Sequence, residues 1–403
     1  MLVKIEPSRV SGTVTAPASK SMAHRLLICA GLSEGTSEIR NVAYSEDILA
    51  TLDCLCTMGA KIQRGEDYVT IEGTSPEESD GGIYMCRESG STLRFFIPLA
   101  MLTEAGSLFK GYGRLMERPM EIYEKIAEEK GIRYSKTDEG ISVGGILSGG
   151  RYEVPANISS QFISGLLFAL PLCEKDSEIV LVGNIESRSY IDMTIDAMSL
   201  FGVSVEWKNE NTLYLKGNQK YIPQTLSVEG DYSNSAFIDA FNLLGGNVSV
   251  EGLKEYSLQG DKIYKEYFEL LKRGTPTLDI RNCPDLAPIL MTLAAALNGA
   301  TLTGTKRLKI KESDRGLVMK EELEKFGADI RVYDDEIIIN KSEITKPLKK
   351  LNGHNDHRVV MSLAVLSGKY GGEIEGAEAV KKSYPDFFIK AEALGLEVNA
   401  YDN

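Results

Sequence analysis

The stretch KIKESDR, residues 309–315, crowds Lys309, Lys311 and Arg315 against Glu312 and Asp314. Alone, such a run describes the solvated start of a helix. The chemistry it could do is proton transfer beside an anion. A carboxyl can give a proton, a lysine can steady developing charge, and an arginine can grip a carboxylate or phosphate through two parallel bonds. Further cations sit in SKSMAHR (19–25), ESGSTLR (88–94), RLMERPM (114–120), NDHR (355–358) and KKSYPDF (381–387).

Several of these open segments that are apolar nearly all round, such as SMAHRLLICAGL, STLRFFIPLAML, SSQFISGLLFALPL and DLAPILMTLAAAL. That pattern predicts helices buried inside a domain. Ser or Asp at each start supplies an N-cap. Capping does not explain Lys20, Arg25, Arg94 and Arg358 in the first turn or two of such helices. A cation there opposes the positive end of the helix dipole and is costly to desolvate. Free helix N–H groups flanked by Lys and Arg make an anion site. Several converging on one cleft suit a ligand with multiple phosphates or carboxylates.

The elements that must position these residues recur. A small-residue turn and a β-rich run appear at 34–42, 105–113, 176–184, 245–253, 299–307 and 371–379. An apolar helical stretch precedes each run. A polar-faced helix ending in glycine follows, as in CTMGAKI, EEKGIRY, SLFGVSV, EKFGADI and EALGLEV. Glycine just past the last turn is a C-cap signal. Hairpins such as GEDYVTI and DDEIIIN then return. The fourth copy lacks the hairpin, which shortens its step. The expected fold is α/β, with two domains of three strand-helix-strand-helix-strand-strand units each. One domain spans 18–227. The other joins 228–403 to 1–17, with LVKIEPS completing it. The chain would cross near 15–20 and 226–231, a natural hinge for closure around a ligand.

Composition narrows the function. The 403 residues carry a net charge of −13, so any anion site is a local concentration of cations rather than a global field. Nucleic-acid binding through a basic face is not expected. The six cysteines form no CxxC pair and only three histidines occur, so neither a metal site nor a disulfide framework is expected. No apolar run is long enough to span a bilayer and no signal peptide is evident, so a cytoplasmic location is the default.

Jointly and in order, SKSMAHR, SGSTLR, ERPM, SSQF, KESDR, NDHR and KKSYPDF resemble the 5-enolpyruvylshikimate-3-phosphate (EPSP) synthases, members of the enolpyruvyl transferase family. The resemblance runs from Lys20 to about Asp386. It implies an inside-out α/β barrel in each domain, with buried helices whose N-termini face the interdomain cleft. It also implies transfer of the enolpyruvyl group of phosphoenolpyruvate to the 5-hydroxyl of shikimate 3-phosphate by a monomer, without metal or cofactor. By this resemblance Lys20, Ser21, Arg25, Ser159, Ser160, Ser187, Tyr190, Asp285, Arg307 and Lys311 contact shikimate 3-phosphate. Lys20, Gly90, Arg118, Gln161, Arg315, Arg358 and Lys382 contact phosphoenolpyruvate, with Asp47 and Arg94 in support. Lys20, Asp285, Lys311 and Glu312 are the implied catalytic set. The chain departs from the family pattern at Glu88, Ser91 and Arg307. UDP-N-acetylglucosamine enolpyruvyl transferases share the architecture, but typically carry a reactive cysteine in the loop corresponding to 110–118, where this chain has none. RNA terminal phosphate cyclases use related repeats. The acidic balance and the lack of interleaved aromatic and basic residues argue against them.

Overall fold

The computed structural model describes residues 1–401 of the chain. They form two compact units, one of Lys20–Glu229 and one of Met1–Ser19 with Gly230 onward. The first unit holds α1 (Lys20–Gly31), α2 (Glu46–Met58), α3 (Gly90–Ala100), α4 (Glu121–Lys130), α5 (Ser160–Ala169) and α6 (Arg188–Leu200). The second holds α7 (Tyr232–Leu243), α8 (Tyr264–Arg273), α9 (Ala287–Ala296), α10 (Arg315–Glu324), α11 (His357–Tyr370) and α12 (Phe387–Ala393). The odd-numbered helices α1 to α11 are buried on nearly all faces. The even-numbered ones keep an exposed face.

Each turn-and-strand phrase of the first unit lies in a four-stranded sheet of one design. The middle strands Thr36–Arg40, Ser107–Lys110 and Ser177–Val182 each take a parallel neighbour on one side and an antiparallel hairpin on the other. Their registers agree. Ile39 faces Val69, Phe109 faces Ile141 and Ile179 faces Leu213, and all six side chains are buried. This is the inward half of the period-2 alternation.

In the second unit Ala300–Thr303 heads the same four-stranded pattern. The fourth repeat has only Asn247–Glu251 paired with Ser11–Thr15, the missing hairpin leaving two strands. In the sixth, Leu2–Glu6 fills the hairpin position between Gly372–Glu375 and Glu397–Tyr401, with Val3 opposite Ile374 and Ala400. The N-terminal residues thus complete two sheets of this unit.

Local signals place the helix ends. Ser45 caps α2 by accepting from Ile48 N at 3.4 Å. Gly59 and Gly131 end α2 and α4 with positive φ, where a Cβ would be strained. The buried helices carry their own exceptions. Pro98 sits inside α3 and has no N–H for the Arg94 carbonyl one turn earlier. Tyr123 of α4 replaces that donor, its hydroxyl lying 2.6 Å from the Arg94 oxygen and 3.1 Å from that of Phe162. Gly165 of α5 makes the approach possible. A Cβ there would come within 2.3 Å of both the Arg94 oxygen and the Tyr123 hydroxyl.

A second polar thread joins α1, α2 and α3. His24 Nδ1 is 2.7 Å from Thr51 Oγ1, which is 2.8 Å from Thr92 Oγ1, which donates to Ser89 at 2.8 Å. Burial, aided by Lys20 and Arg25, pushes the His24 pKa well below its usual value, so the ring stays neutral.

Two outcomes follow from these threads. Tyr123→Phe strands a buried carbonyl and should lower stability by about 1–3 kcal/mol in urea unfolding, without the steric clash that Gly165→Ala adds. Because His24 titrates lower in the folded chain than in the unfolded one, the unfolded state takes up more protons below about pH 6.5. Stability should therefore fall as pH drops through that value. In unfolding series at several pH values, His24→Asn, which keeps a partner for Thr51 but cannot titrate, should show the shallower decline.

Candidate functional site

In the first unit the buried helix starts assemble a cationic cluster. Lys20 opens α1 and its Nζ is 2.7 Å from Asp47 Oδ2 on α2. Arg25, one turn on, donates to the Ser21 carbonyl at 2.6 Å, the Tyr190 carbonyl at 2.9 Å and Thr194 Oγ1 at 2.9 Å. Its guanidinium also packs on the rings of Phe95 and Tyr190. Ser187 ends the preceding loop in a left-handed conformation (φ 57°), which sets the direction in which α6 leaves with Tyr190 in its first turn. Arg94 of α3 donates to Gln161 Oε1 at 2.7 Å and the Pro119 carbonyl at 3.3 Å, over the Phe162 ring. Gln161 in turn donates to Ser91 at 2.8 Å, while Ser159 caps α5 through Gln161 N and Ser160 is buried beside it. Gly90 opens α3 directly against Arg118, and a Cβ there would meet Arg118 Nη1 at 2.5 Å.

Among the described residues no carboxylate pairs with Arg25, Arg94 or Arg118, and Arg25 and Arg94 bond carbonyls and side-chain oxygens and lie over aromatic faces. Burial lowers the pKa of both Arg25 and Arg94 to about 10, in Arg94 with help from neighbouring Arg118. Buried cations without counter-charge call for an anionic ligand. Arg114, by contrast, is exposed beside Glu117 and takes no part in the cluster.

The second unit solves the same problem differently. Arg315, first residue of α10, is only 1% exposed and is surrounded by carboxylates. It donates to Asp285 at 2.7 Å, Glu312 at 2.5 Å and Asp356 at 2.9 Å. Asp285, at the entry to α9, also takes Lys311 at 3.2 Å and Arg358 at 3.1 Å. Three cations singled out from the sequence therefore meet on the Asp285 carboxylate, and Arg315 links Glu312 to them. Burial lowers the Lys311 pKa, opposed by Asp285 and assisted by Arg315 and Arg307. Burial would lower that of Arg315 too, but Asp356, Glu312 and Asp285 together raise it well above its usual value. Arg307 donates to the Arg281 carbonyl at 2.5 Å, and Lys382 to the Asn355 carbonyl at 2.6 Å. Glu312, Asp356 and His357 hold ligand-type atoms within 4.8 Å of one another, yet Arg315 already bonds both carboxylates.

KIKESDR is not a helical turn. Lys306–Ile310 is a 3-10 turn, Lys311 is extended, and α10 begins only at Arg315. Asp314 caps α10 by accepting from Leu317 N at 3.2 Å. The break in helical geometry lets Lys311, Glu312 and Arg315 all reach the same cluster.

Sequence reasoning missed three groups here. Asp356 caps α11 and anchors both Arg315 and Ser313. Ser233, in the first turn of α7, takes Arg358 Nη1 at 2.7 Å. Its signal was present, since α7 is the fourth of six equivalent buried helices and its start is equally polar. Asp261 lies behind Ser233. Burial first, then the charge of Asp285, raise its pKa to about 6, against Arg358 and a Ser233 hydrogen bond.

The sequence pattern of EPSP synthase (3-phosphoshikimate 1-carboxyvinyltransferase) matches residues 5–390. A 3-phosphoshikimate 1-carboxyvinyltransferase of Clostridium perfringens is 40% identical over 98% of this chain and 98% of its own length. One of Clostridium kluyveri is also 40% identical, over 99% and 98%. The solved EPSP synthase of Acinetobacter baumannii superposes with a TM-score of 0.79 at 25% identity, covering 99% of this chain and all of that one. End-to-end agreement with the family pattern and with these relatives leaves one assignment, and the chain belongs to the EPSP synthase family.

Proposed function

We propose that this chain transfers the enolpyruvyl group of phosphoenolpyruvate to the 5-hydroxyl of shikimate 3-phosphate and releases phosphate. The observation that carries the reading is the knot of Asp285, Lys311, Glu312, Arg315 and Arg358 in a member of this family. The reading takes each unit as an inside-out barrel, with helices inside and sheets outside. The chain passes between the two units near residues 15–20 and 226–231, the proposed hinge, and the reading takes the protein as a monomer.

The reaction asks for an acid, a base and cations. Protonating the methylene carbon of phosphoenolpyruvate makes C2 electrophilic. The 5-hydroxyl adds there, losing its proton, and a tetrahedral ketal phosphate results. Loss of a methyl proton and of phosphate then regenerates the enol ether. Glu312 is assigned the methylene proton and Asp285 the hydroxyl proton. Lys311, whose burial eases deprotonation, sits by the hydroxyl and the developing charge. Arg315, Arg358, Lys382, Arg118 and Lys20 hold the carboxylate and phosphate of phosphoenolpyruvate, with Gly90 and Gln161. Ser21, Arg25, Ser159, Ser160, Ser187, Tyr190 and Arg307 hold shikimate 3-phosphate. Asp47 and Arg94 fix Lys20 and Gln161 in place. The lack of counter-charge on Arg25 and Arg94 fits this division, because a bound dianion would supply it.

Phosphate release measured with both substrates tests the activity. It should require phosphoenolpyruvate and shikimate 3-phosphate together, and UDP-N-acetylglucosamine should not replace the second. Glu312→Gln should retain binding of both substrates by calorimetry while turnover falls about 10²–10⁴-fold. Turnover at the wild-type rate would remove Glu312 from the mechanism.

A further inference from the structure

A second buried carboxylate lies on α10, seven residues beyond Arg315. Glu322 is fully buried, and both of its oxygens are 2.8 Å from Lys325 Nζ. Its remaining partners all belong to the turn that leads into α11. His354 Nε2 donates to Oε1 at 2.9 Å, and the Asn352 backbone N–H donates to Oε2 at 2.9 Å. The same turn is tied back on itself, with His354 N donating to Asn352 Oδ1 at 2.7 Å.

This turn holds two consecutive non-glycine residues in the left-handed region, His354 (φ 47°) and Asn355 (φ 53°). Such a pair persists only where surrounding contacts over-determine it. What the strained turn delivers is specific. The Asn355 carbonyl, turned by that geometry, receives Lys382 Nζ at 2.6 Å. Asp356, the next residue, receives Arg315 Nε and Ser313 and caps the N–H of Arg358. Three cations therefore take their positions from residues 355 and 356, and α10 grips the turn at two points. Arg315 holds its far end through Asp356, and Glu322 holds its near end through His354 and Asn352.

We infer that Glu322 and His354 are positioning residues, which fix the 352–356 turn so that Lys382, Arg315 and Arg358 present a pre-set cationic grip to phosphoenolpyruvate. The inference rests on the substrate assignment proposed above. Neither residue touches the reacting atoms. Lys325, the other partner of Glu322, bonds the Lys350 carbonyl outside the turn and serves only to neutralise the buried carboxylate.

The test uses His354→Asn and His354→Gln in the full chain. Asparagine tolerates the left-handed backbone but is too short to reach Glu322, whereas glutamine can place an amide N–H where Nε2 lies. His354 is 21% exposed at its side chain, so both substitutions avoid the packed core. His354→Asn should raise KM for phosphoenolpyruvate about tenfold, as expected for loss of a bond to a charged group, with kcat and KM for shikimate 3-phosphate within about twofold of wild type. His354→Gln should restore most of the loss, and Glu322→Gln should reproduce the phosphoenolpyruvate-specific defect. A lowered Tm with unchanged KM values, or a parallel rise in both KM values, would overturn the inference. Should wild type release no phosphate from the two substrates, the proposed function fails instead. An active wild type with an unaltered His354→Asn variant sinks only the positioning role.

Discussion

Burying a cation is costly, and the chain has placed Arg25, Arg94, Arg315 and Arg358 at or below 5% exposure, in the first two turns of their helices. The two units meet that cost in opposite ways. Around Arg315 the protein supplies carboxylates, so Asp285, Glu312 and Asp356 balance Lys311, Arg315 and Arg358 before any substrate arrives. Around Arg25 and Arg94 it supplies carbonyl oxygens and aromatic faces, which solvate a guanidinium without neutralising it. The first arrangement is a balanced network in which a proton can be moved. The second is an excess of positive charge waiting for an anion.

Such placement demands stiff scaffolding. A guanidinium held by three carboxylates from separate elements loses its geometry if any helix slides. The buried helices provide this because they are enclosed by packed side chains, and their deviations from ideality are each answered locally. The carbonyl freed by Pro98 is met by Tyr123, and the room for that hydroxyl is made by Gly165. Arg94, whose own carbonyl is involved, is thereby fixed from its backbone as well as from its side chain.

Much of this was legible in the sequence, and the limits are physical. Turn glycines, alternating strands and C-caps are local signals, so the repeating phrase could be read and the helix ends at Gly59 and Gly131 fell where expected. The shortened fourth repeat was visible for the same reason. Of the residues that meet around Asp285, Arg358 was noticed because a cation at the start of an apolar helix is out of place, and Lys311, Glu312 and Arg315 because KIKESDR crowds charges of both signs. Their partners were not. Asp356 lies 41 residues from Arg315 and Ser233 lies 125 from Arg358, and no pattern of spacing encodes such pairs. KIKESDR misled in a smaller way. Its composition suits a helical turn, but Lys311 is extended, because reaching Asp285 outweighs the weak propensity of four polar residues.

The strand Leu2–Glu6 pairs with residues 372–375 and 397–401, and Ser11–Thr15 pairs with residues 247–251. A ribosome therefore emits two strands whose neighbours do not yet exist. The contiguous segment 20–229 can condense as it emerges, since its sheets draw only on its own residues. The other half cannot close its last sheet until residues 397–401 have been made. Its contacts span long stretches of sequence and its folding is correspondingly late, with Ser11–Thr15 unpaired until residues 247–251 are made and Leu2–Glu6 until residues 372–375 are.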